Sequence, residues 1–223
     1  MKQKLLLVLC VISLVALSSG CLVREATFSL ESWKVIGDGG RPSIVIACRA
    51  SDSVRLCLTD PNGVEVDSEY VEKGITGANL CLAPQWHTPV SGTYTLIAKD
   101  RARDTIFTDW ITFLGVNLLV SKIIPHWKYH EWSDEYCLEG LRVFMKNEGD
   151  LPAYPSCADV EINGNLGTFS FLTTVMPPNS EREISGSIHM SGISSEEQYM
   201  TITLKDIAGY TIVEYPIKVT PAN

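Results

Sequence analysis

From Thr27 onward the chain is a succession of short runs in which apolar and polar residues alternate, with almost no trace of the three-to-four-residue apolar period of a helix. Alternation places every second side chain on one face of an extended strand, so each run reads as a strand with one face turned to a core. Strands are predicted at Thr27 to Val35, Ser43 to Cys48, Val54 to Thr59, Val64 to Val71, Ala78 to Ala83, Thr93 to Lys99 and Thr105 to Phe113. Asp60-Pro61-Asn62-Gly63 separates two of them as a tight turn, proline fixing one backbone angle and glycine accepting a positive one. Seven strands in this length match one immunoglobulin-type sandwich.

After Gly115 the pattern begins again, with strands predicted at Leu118 to Ile124, Leu138 to Lys146, Ala158 to Asn163, Gly167 to Thr174, Glu183 to Met190, Tyr199 to Lys205 and Thr211 to Thr220. Asn147-Glu148-Gly149-Asp150 and Pro177-Pro178-Asn179-Ser180 are turns between them. Each half closes on the same short pattern. Tyr94, Lys99-Asp100 and Thr105-Ile106 in the first are answered by Tyr199, Lys205-Asp206 and Thr211-Ile212 in the second, with the same spacing from aspartate to Thr-Ile. A terminal hairpin repeated one domain length later marks a tandem unit. The predicted class is therefore all-β: two tandem immunoglobulin-like antiparallel sandwiches, spanning 24–115 and 116–223, each expected to fold as a unit.

The second half resembles the cell-adhesion-related domain found in bacteria and archaea (CARDB). The residues that carry the resemblance are Leu141 to Ala153, which look like its strand, Asn-x-Gly turn and following proline, then Val160 to Gly164 and Val175 to Ser180. Pro178 stands where that family usually has glycine. The resemblance implies an extracellular sandwich of surface, adhesive or enzyme-accessory proteins, with no catalytic residues to carry over.

Composition narrows the function class. With 45% hydrophobic and 20% charged residues the chain is an ordinary globular one, which excludes disorder. Its formal charge of −8 leaves no basic excess for phosphate, so nucleic acid is excluded as a partner. Residues 1–20 read as an export signal: Lys2 and Lys4, the apolar run Leu5 to Leu17, then Ser18, Ser19 and Gly20. The run is too short for a comfortable membrane span. Leu17-Ser18-Ser19-Gly20-Cys21 resembles the lipobox of prokaryotic lipoproteins, with Ser18 where the family prefers an apolar residue. The resemblance implies a diacylglyceryl group on Cys21 and a mature protein tethered to the outer face of the cell membrane; the alternative is a plain secretory signal.

Beyond the leader and Cys21 five cysteines remain, none in the close Cys-x-x-Cys spacing of zinc or redox sites. Outside the cytoplasm disulfides are the natural reading. Cys137 and Cys157 stand alone in the second half and are paired on that ground. In the first half Val54, Leu56 and Leu58 leave Cys57 on the opposite face, as Leu80 and Leu82 leave Cys81, whereas Cys48 follows Ile44 and Ile46 on an apolar face. The reading is Cys57 to Cys81 with Cys48 buried and free, the other two pairings remaining open.

Chemistry-bearing motifs are few. No Gly-x-Ser-x-Gly elbow, phosphate-cradling glycine loop or His-Glu-x-x-His occurs. His126 and His130, near Asp134 and Glu135, read as part of a solvated loop rather than a metal site, and Glu65, Asp67 and Glu69 as a solvated strand face rather than a calcium site. No catalytic residue, metal or cofactor is assigned. The unusual segment is His126 to Tyr136, with Trp127, Tyr129, Trp132 and Tyr136 in a loop expected to lie near the first unit; Trp86, beside His87 between Pro84 and Pro89, is a second aromatic candidate. Tryptophan and tyrosine suit either a core or a contact surface. The leading reading is a non-catalytic cell-surface lipoprotein that binds or spaces envelope components, a protein or glycan among them. The alternatives are a binding subunit for a sugar or peptide that uses Trp127, Tyr129, Trp132 and Trp86, and a metal-binding envelope protein or enzyme.

Overall fold

The computed structural model describes residues 25–222, so Cys21 and the leader lie outside the described residues. The chain forms fourteen strands: β1 (Phe28–Ile36), β2 (Ser43–Ala50), β3 (Val54–Thr59), β4 (Glu65–Val71), β5 (Gly74–Cys81), β6 (Gly92–Lys99), β7 (Thr105–Phe113), β8 (Leu118–His130), β9 (Glu135–Asn147), β10 (Cys157–Ile162), β11 (Asn165–Ser170), β12 (Ser180–Ile193), β13 (Gln198–Lys205) and β14 (Thr211–Val219). In the first unit, sheet β1-β2-β5 faces sheet β4-β3-β6-β7. Ile44, Ile46 and Leu80 from one meet Leu56, Leu58 and Leu96 from the other in a single core. The second unit repeats the order seven strands later: β8-β9-β12 faces β11-β10-β13-β14, and the two sheets are joined at one edge by the pair Ser170 and Ser187. Leu141, Val143 and Met145 there pack against Val160, Ile202 and Leu204. The fold is two immunoglobulin-like antiparallel sandwiches in tandem.

The repeated terminal hairpin is real, and it is a turn. Asp100 and Asp206 each donate their N–H to the carbonyl four residues on (3.0 and 3.0 Å) and accept at Oδ1 the N–H of that same residue (2.9 and 3.0 Å). The third residue, Arg103 or Gly209, takes a left-handed conformation (φ 72° and 83°). Asp60 builds the same turn between β3 and β4, with Gly63 at φ 82°. The tyrosines of the pattern are not equivalent, because Tyr94 lies five residues before Lys99 and Tyr199 six before Lys205, which puts them on opposite strand faces. Tyr94 is fully buried and donates its hydroxyl to the Val90 carbonyl at 3.0 Å, whereas Tyr199 is exposed beneath Lys218. Gln198, on the buried face, takes the part of Tyr94: its amide donates to the Ser194 carbonyl, also four residues upstream, at 2.7 Å.

The two disulfides expected from sequence do not form. Among the described residues Cys48, Cys57, Cys81, Cys137 and Cys157 are all free thiols. The alternation that turned Cys57 and Cys81 away from the apolar face puts them on the outer faces of opposed sheets, on β3 and β5. Cys137 on β9 and Cys157 on β10 are related in the same way. Opposed sheets lie about 10 Å apart through the core, and a disulfide spans Cα atoms only about 4.4–6.8 Å apart. Burial pushes the thiols of Cys48, Cys57, Cys81 and Cys137 up from their ordinary value, which keeps them protonated and inert at neutral pH.

Two outcomes follow. Alkylation of the denatured chain without prior reduction should label Cys48, Cys57, Cys81, Cys137 and Cys157, and reductant should leave the melting temperature unchanged; an unreduced Cys137–Cys157 peptide would refute this. Burial and the nearby Asp60 carboxylate push the Tyr94 hydroxyl up to about 12. The unfolded chain ionises first, so the stability held by this group is intact below pH ~10 and drains as pH rises towards ~12, by about 2–3 kcal/mol. Denaturant unfolding across that interval should show a flatter decline in Tyr94→Phe than in wild type, from a start about 1 kcal/mol lower.

Candidate functional site

Where the two sandwiches meet, a four-residue connection is clasped by the β9–β10 segment. The linker residues Leu114 and Gly115 donate their N–H groups to the two carboxylate oxygens of Asp150, at 2.9 and 2.8 Å, and the Gly115 carbonyl in turn accepts the Asp150 N–H at 3.1 Å. Gly149 is required by close approach, since a Cβ there would lie 2.1 Å from the Gly115 carbonyl oxygen. Asn147, fully buried, braces the turn from within: its amide donates to the carbonyls of Leu151 (2.8 Å) and Met176 (3.0 Å), and its Oδ1 accepts the Gly149 N–H (3.0 Å). The Asn-Glu-Gly-Asp turn, read from sequence as a connection within the second unit, is thus the clasp between the two.

Apolar contacts lock the same seam. Leu151 is fully buried in the core of the first unit although the chain has by then entered the second, and Val116 packs against both cores. Tyr154, also buried, donates its hydroxyl to the Gly37 carbonyl at 3.3 Å and meets the Trp86 ring edge to face, with centroids 6.1 Å apart. Trp86 lies flat on Gly40, where an added Cβ would fall 2.5 Å from the ring, and holds a left-handed backbone (φ 64°). A strained conformation of this kind persists where packing over-determines it. Trp86 is a junction wedge.

The segment His126 to Tyr136 is not a loop beside the first unit. It is the β8–β9 hairpin, and β8 leaves the junction at Leu118 and runs 13 residues, about 40 Å, to the opposite pole. The four aromatic residues separate there. Trp127 and Tyr136 pack against the second core, Tyr129 donates its hydroxyl to Asp134 Oδ1 at 2.6 Å and meets the Tyr136 ring at a tilt of 50°, and Trp132, in the turn, is fully exposed. His126 and His130 sit four residues apart on one strand, about 13 Å, too far to share an ion. Among the described residues no three His, Cys, Asp or Glu side chains converge as metal ligands.

The acidic stripe on β4 is bound up with backbone. Glu65 pairs with Arg55 at 2.7 Å, while Asp67 and Glu69 accept the N–H groups of Cys81 (2.7 Å) and Asn79 (2.8 Å) on β5. The stripe therefore bridges the edges of the two sheets, which alternation alone does not reveal.

One cavity spans both units: a cleft of about 470 Å³ under the linker, walled by the Leu82–Ser91 segment of the first and the β13–β14 turn of the second. Its lining is mostly apolar, with Leu114, Val90 and Tyr210 exposed at the rim. Asp60, Asp206 and His87 are among its lining residues, and no lysine or arginine is. No sequence signal points to it, because four separate segments build it.

The clasp yields a prediction that a simple tandem would not. Leu151→Ala should cost about 2–5 kcal/mol. In residue-resolved hydrogen exchange the lost protection should fall on β2, β3 and β6 of the first unit; loss confined to β9 and β10 would refute the assignment.

No protein-family model matches the chain, and no curated protein sequence does. Among solved structures, similarity is found to the BSP domain of a biofilm-associated protein (15% identity, TM-score 0.31), covering 87% of this chain and 29% of that one. A two-domain fibronectin type III segment of chicken tenascin is 10% identical with a TM-score of 0.32, over 86% of this chain and 99% of the other. An exo-chitosanase of Amycolatopsis orientalis is 11% identical with a TM-score of 0.32, and this chain spans 25% of it. The chain thus covers less than a third of the first and last of these, and its assignment as tandem immunoglobulin-like sandwiches rests on its own strand order.

Proposed function

We propose that the chain is a non-catalytic, extracytoplasmic tether: a module held at one end by lipid on Cys21, whose clasped pair of sandwiches carries an aromatic hairpin to a partner in the cell envelope. The observation that carries the reading is the placement of the two ends. β1 starts at Phe28 and runs towards the junction, where Gly37 meets Pro152 and Tyr154, so Phe28 lies at the pole away from the second unit. The Trp132 turn lies at the other pole. Because the junction is clasped, the two ends keep a fixed separation, which is what a spacer or a displayed contact site needs. The lipobox-like Leu17 to Cys21 and the likeness of Leu141 to Ala153 to a cell-adhesion-related domain support the same reading.

The hairpin divides into a residue available for contact and a residue used for folding. Trp132→Ala should reduce binding to cells or envelope fractions while leaving the melting temperature within about 1 °C, since an exposed side chain contributes little to stability. Trp127→Ala should lower stability by about 1–3 kcal/mol through lost packing. Cys21→Ser should move the protein from the membrane fraction to the medium. Retention of Cys21→Ser in the membrane would refute the lipid tether, and undiminished binding by Trp132→Ala would refute the hairpin as the contact site.

A further inference from the structure

An asparagine followed by glycine is prone to cyclise, because glycine has no Cβ to obstruct the approach of its nitrogen to the asparagine Cγ. The chain has two such pairs, Asn62-Gly63 in the β3–β4 turn and Asn163-Gly164 in the β10–β11 turn. All four residues are exposed, and a Cβ at either glycine would meet nothing within 4 Å, so access does not separate the two sites. The hold on the amide does. Asn163 Nδ2 donates to Gln198 Oε1 at 2.8 Å. Gln198 is 6% exposed and its own amide is engaged by the Ser194 carbonyl at 2.7 Å, so when Asn163 swings away the buried Oε1 loses its partner, which is costly. Asn62 Nδ2 has only a 3.4 Å contact with Asp60 Oδ2 at an exposed site, where water takes its place. The Gly63 N–H is donated to the Asp60 carbonyl at 3.0 Å, and this solvent-facing turn bond opens locally without disturbing a core.

We infer that Asn62 is a site of spontaneous covalent modification and that Gln198 protects Asn163 from the same reaction. Solvent hydroxide removes the Gly63 amide proton, the freed nitrogen attacks the Asn62 Cγ, and the Cγ–Nδ2 bond breaks as the amide nitrogen takes a proton from water and leaves as ammonia. Water then opens the five-membered imide at one carbonyl or the other, giving isoaspartate or aspartate at position 62. Either product sets a new carboxylate two residues from Asp60, whose Oδ1 accepts the Asn62 and Val64 N–H groups at 2.9 Å each. Isoaspartate also routes the main chain through an additional methylene, which breaks the spacing those bonds require. Pro61, in the same turn, lies against Gly92 at the start of β6, where an added Cβ would fall 2.9 Å from the proline ring. The modification therefore loosens the first unit where the β3–β4 turn meets β6, on the side of the linker. The inference is independent of the tether reading, which uses neither turn.

Ageing of the intact chain in mildly alkaline buffer, followed by peptide mapping of the aspartyl and isoaspartyl products, tests it. In the native chain Asn62 is expected to convert at least about tenfold faster than Asn163. In concentrated urea, which unfolds the chain and removes the Gln198 hold, the two should convert at comparable rates. Gln198→Met keeps the side-chain volume and removes the acceptor, and should raise the Asn163 rate towards that of Asn62; the urea comparison carries the test if this variant does not fold. Equal rates in the native chain, a native ratio that persists in urea, no conversion at Asn62, or an Asn163 rate unchanged in folded Gln198→Met would overturn the inference. Chain enriched in the position-62 product should melt below fresh chain, and an unchanged midpoint would overturn the loosening of the turn.

Discussion

The geometry of the molecule depends on one carboxylate. Asp150 accepts two successive linker N–H groups, those of Leu114 and Gly115, and so fixes the direction in which the chain leaves the first sandwich. Two charge-assisted bonds on adjacent peptides constrain a backbone far more than one, because neither dihedral between them can turn without breaking a bond. The bonds require the β9–β10 turn to lie against the linker, which Gly149 permits by having no Cβ and which Asn147 secures by consuming the turn's own polar groups. Leu151 then falls where the first core has a place for it. Without this seam the poles would have no fixed separation and the cleft would have no second wall.

The strands were legible because one physical rule generates them. Alternation located all fourteen in order, and the turn residues separated them. Where the reading erred, it stopped one inference short of the same rule. Cys57 and Cys81 each stand opposite an apolar face and Cys137 and Cys157 stand alone in the second half, yet the two-sheet sandwich puts the members of each pair on opposed sheets, facing away from the core between them. The Tyr94 and Tyr199 equivalence failed by a shift of a single residue, which in a strand exchanges core for solvent. β8 and β9 run past their predicted ends because Pro125 and the crowded aromatics look like loop chemistry, whereas a proline is tolerated on the outermost strand of a sheet, the place β8 occupies.

The functional geometry was legible only in part, since its parts come from distant segments. Asn147 to Asp150 could be recognised as a turn, but its partners Leu114 and Gly115 lie 36 and 35 residues away and carry no side-chain signal of the contact. Trp86 and Trp127 have the composition of contact residues and serve as packing, while Trp132, in the same dense segment, faces solvent. Residue type says that an aromatic ring must be covered by something; it does not say whether the cover is the protein itself.

The acidic composition takes on a different meaning once its partners are known. Asp60, Asp100 and Asp206 hold hairpin turns, Asp67 and Glu69 close the edge of β5, and Asp150 holds the linker, each by accepting backbone N–H groups. An all-β chain has many N–H groups at strand edges and turns that no neighbouring strand can satisfy, and a short carboxylate is the side chain best suited to accept them. Much of the negative charge is thus structural, spent on the chain's own backbone rather than on an external cation. The same requirement that closes the hairpin turns brings Asp60 and Asp206, from two separate sandwiches, to the walls of one cleft.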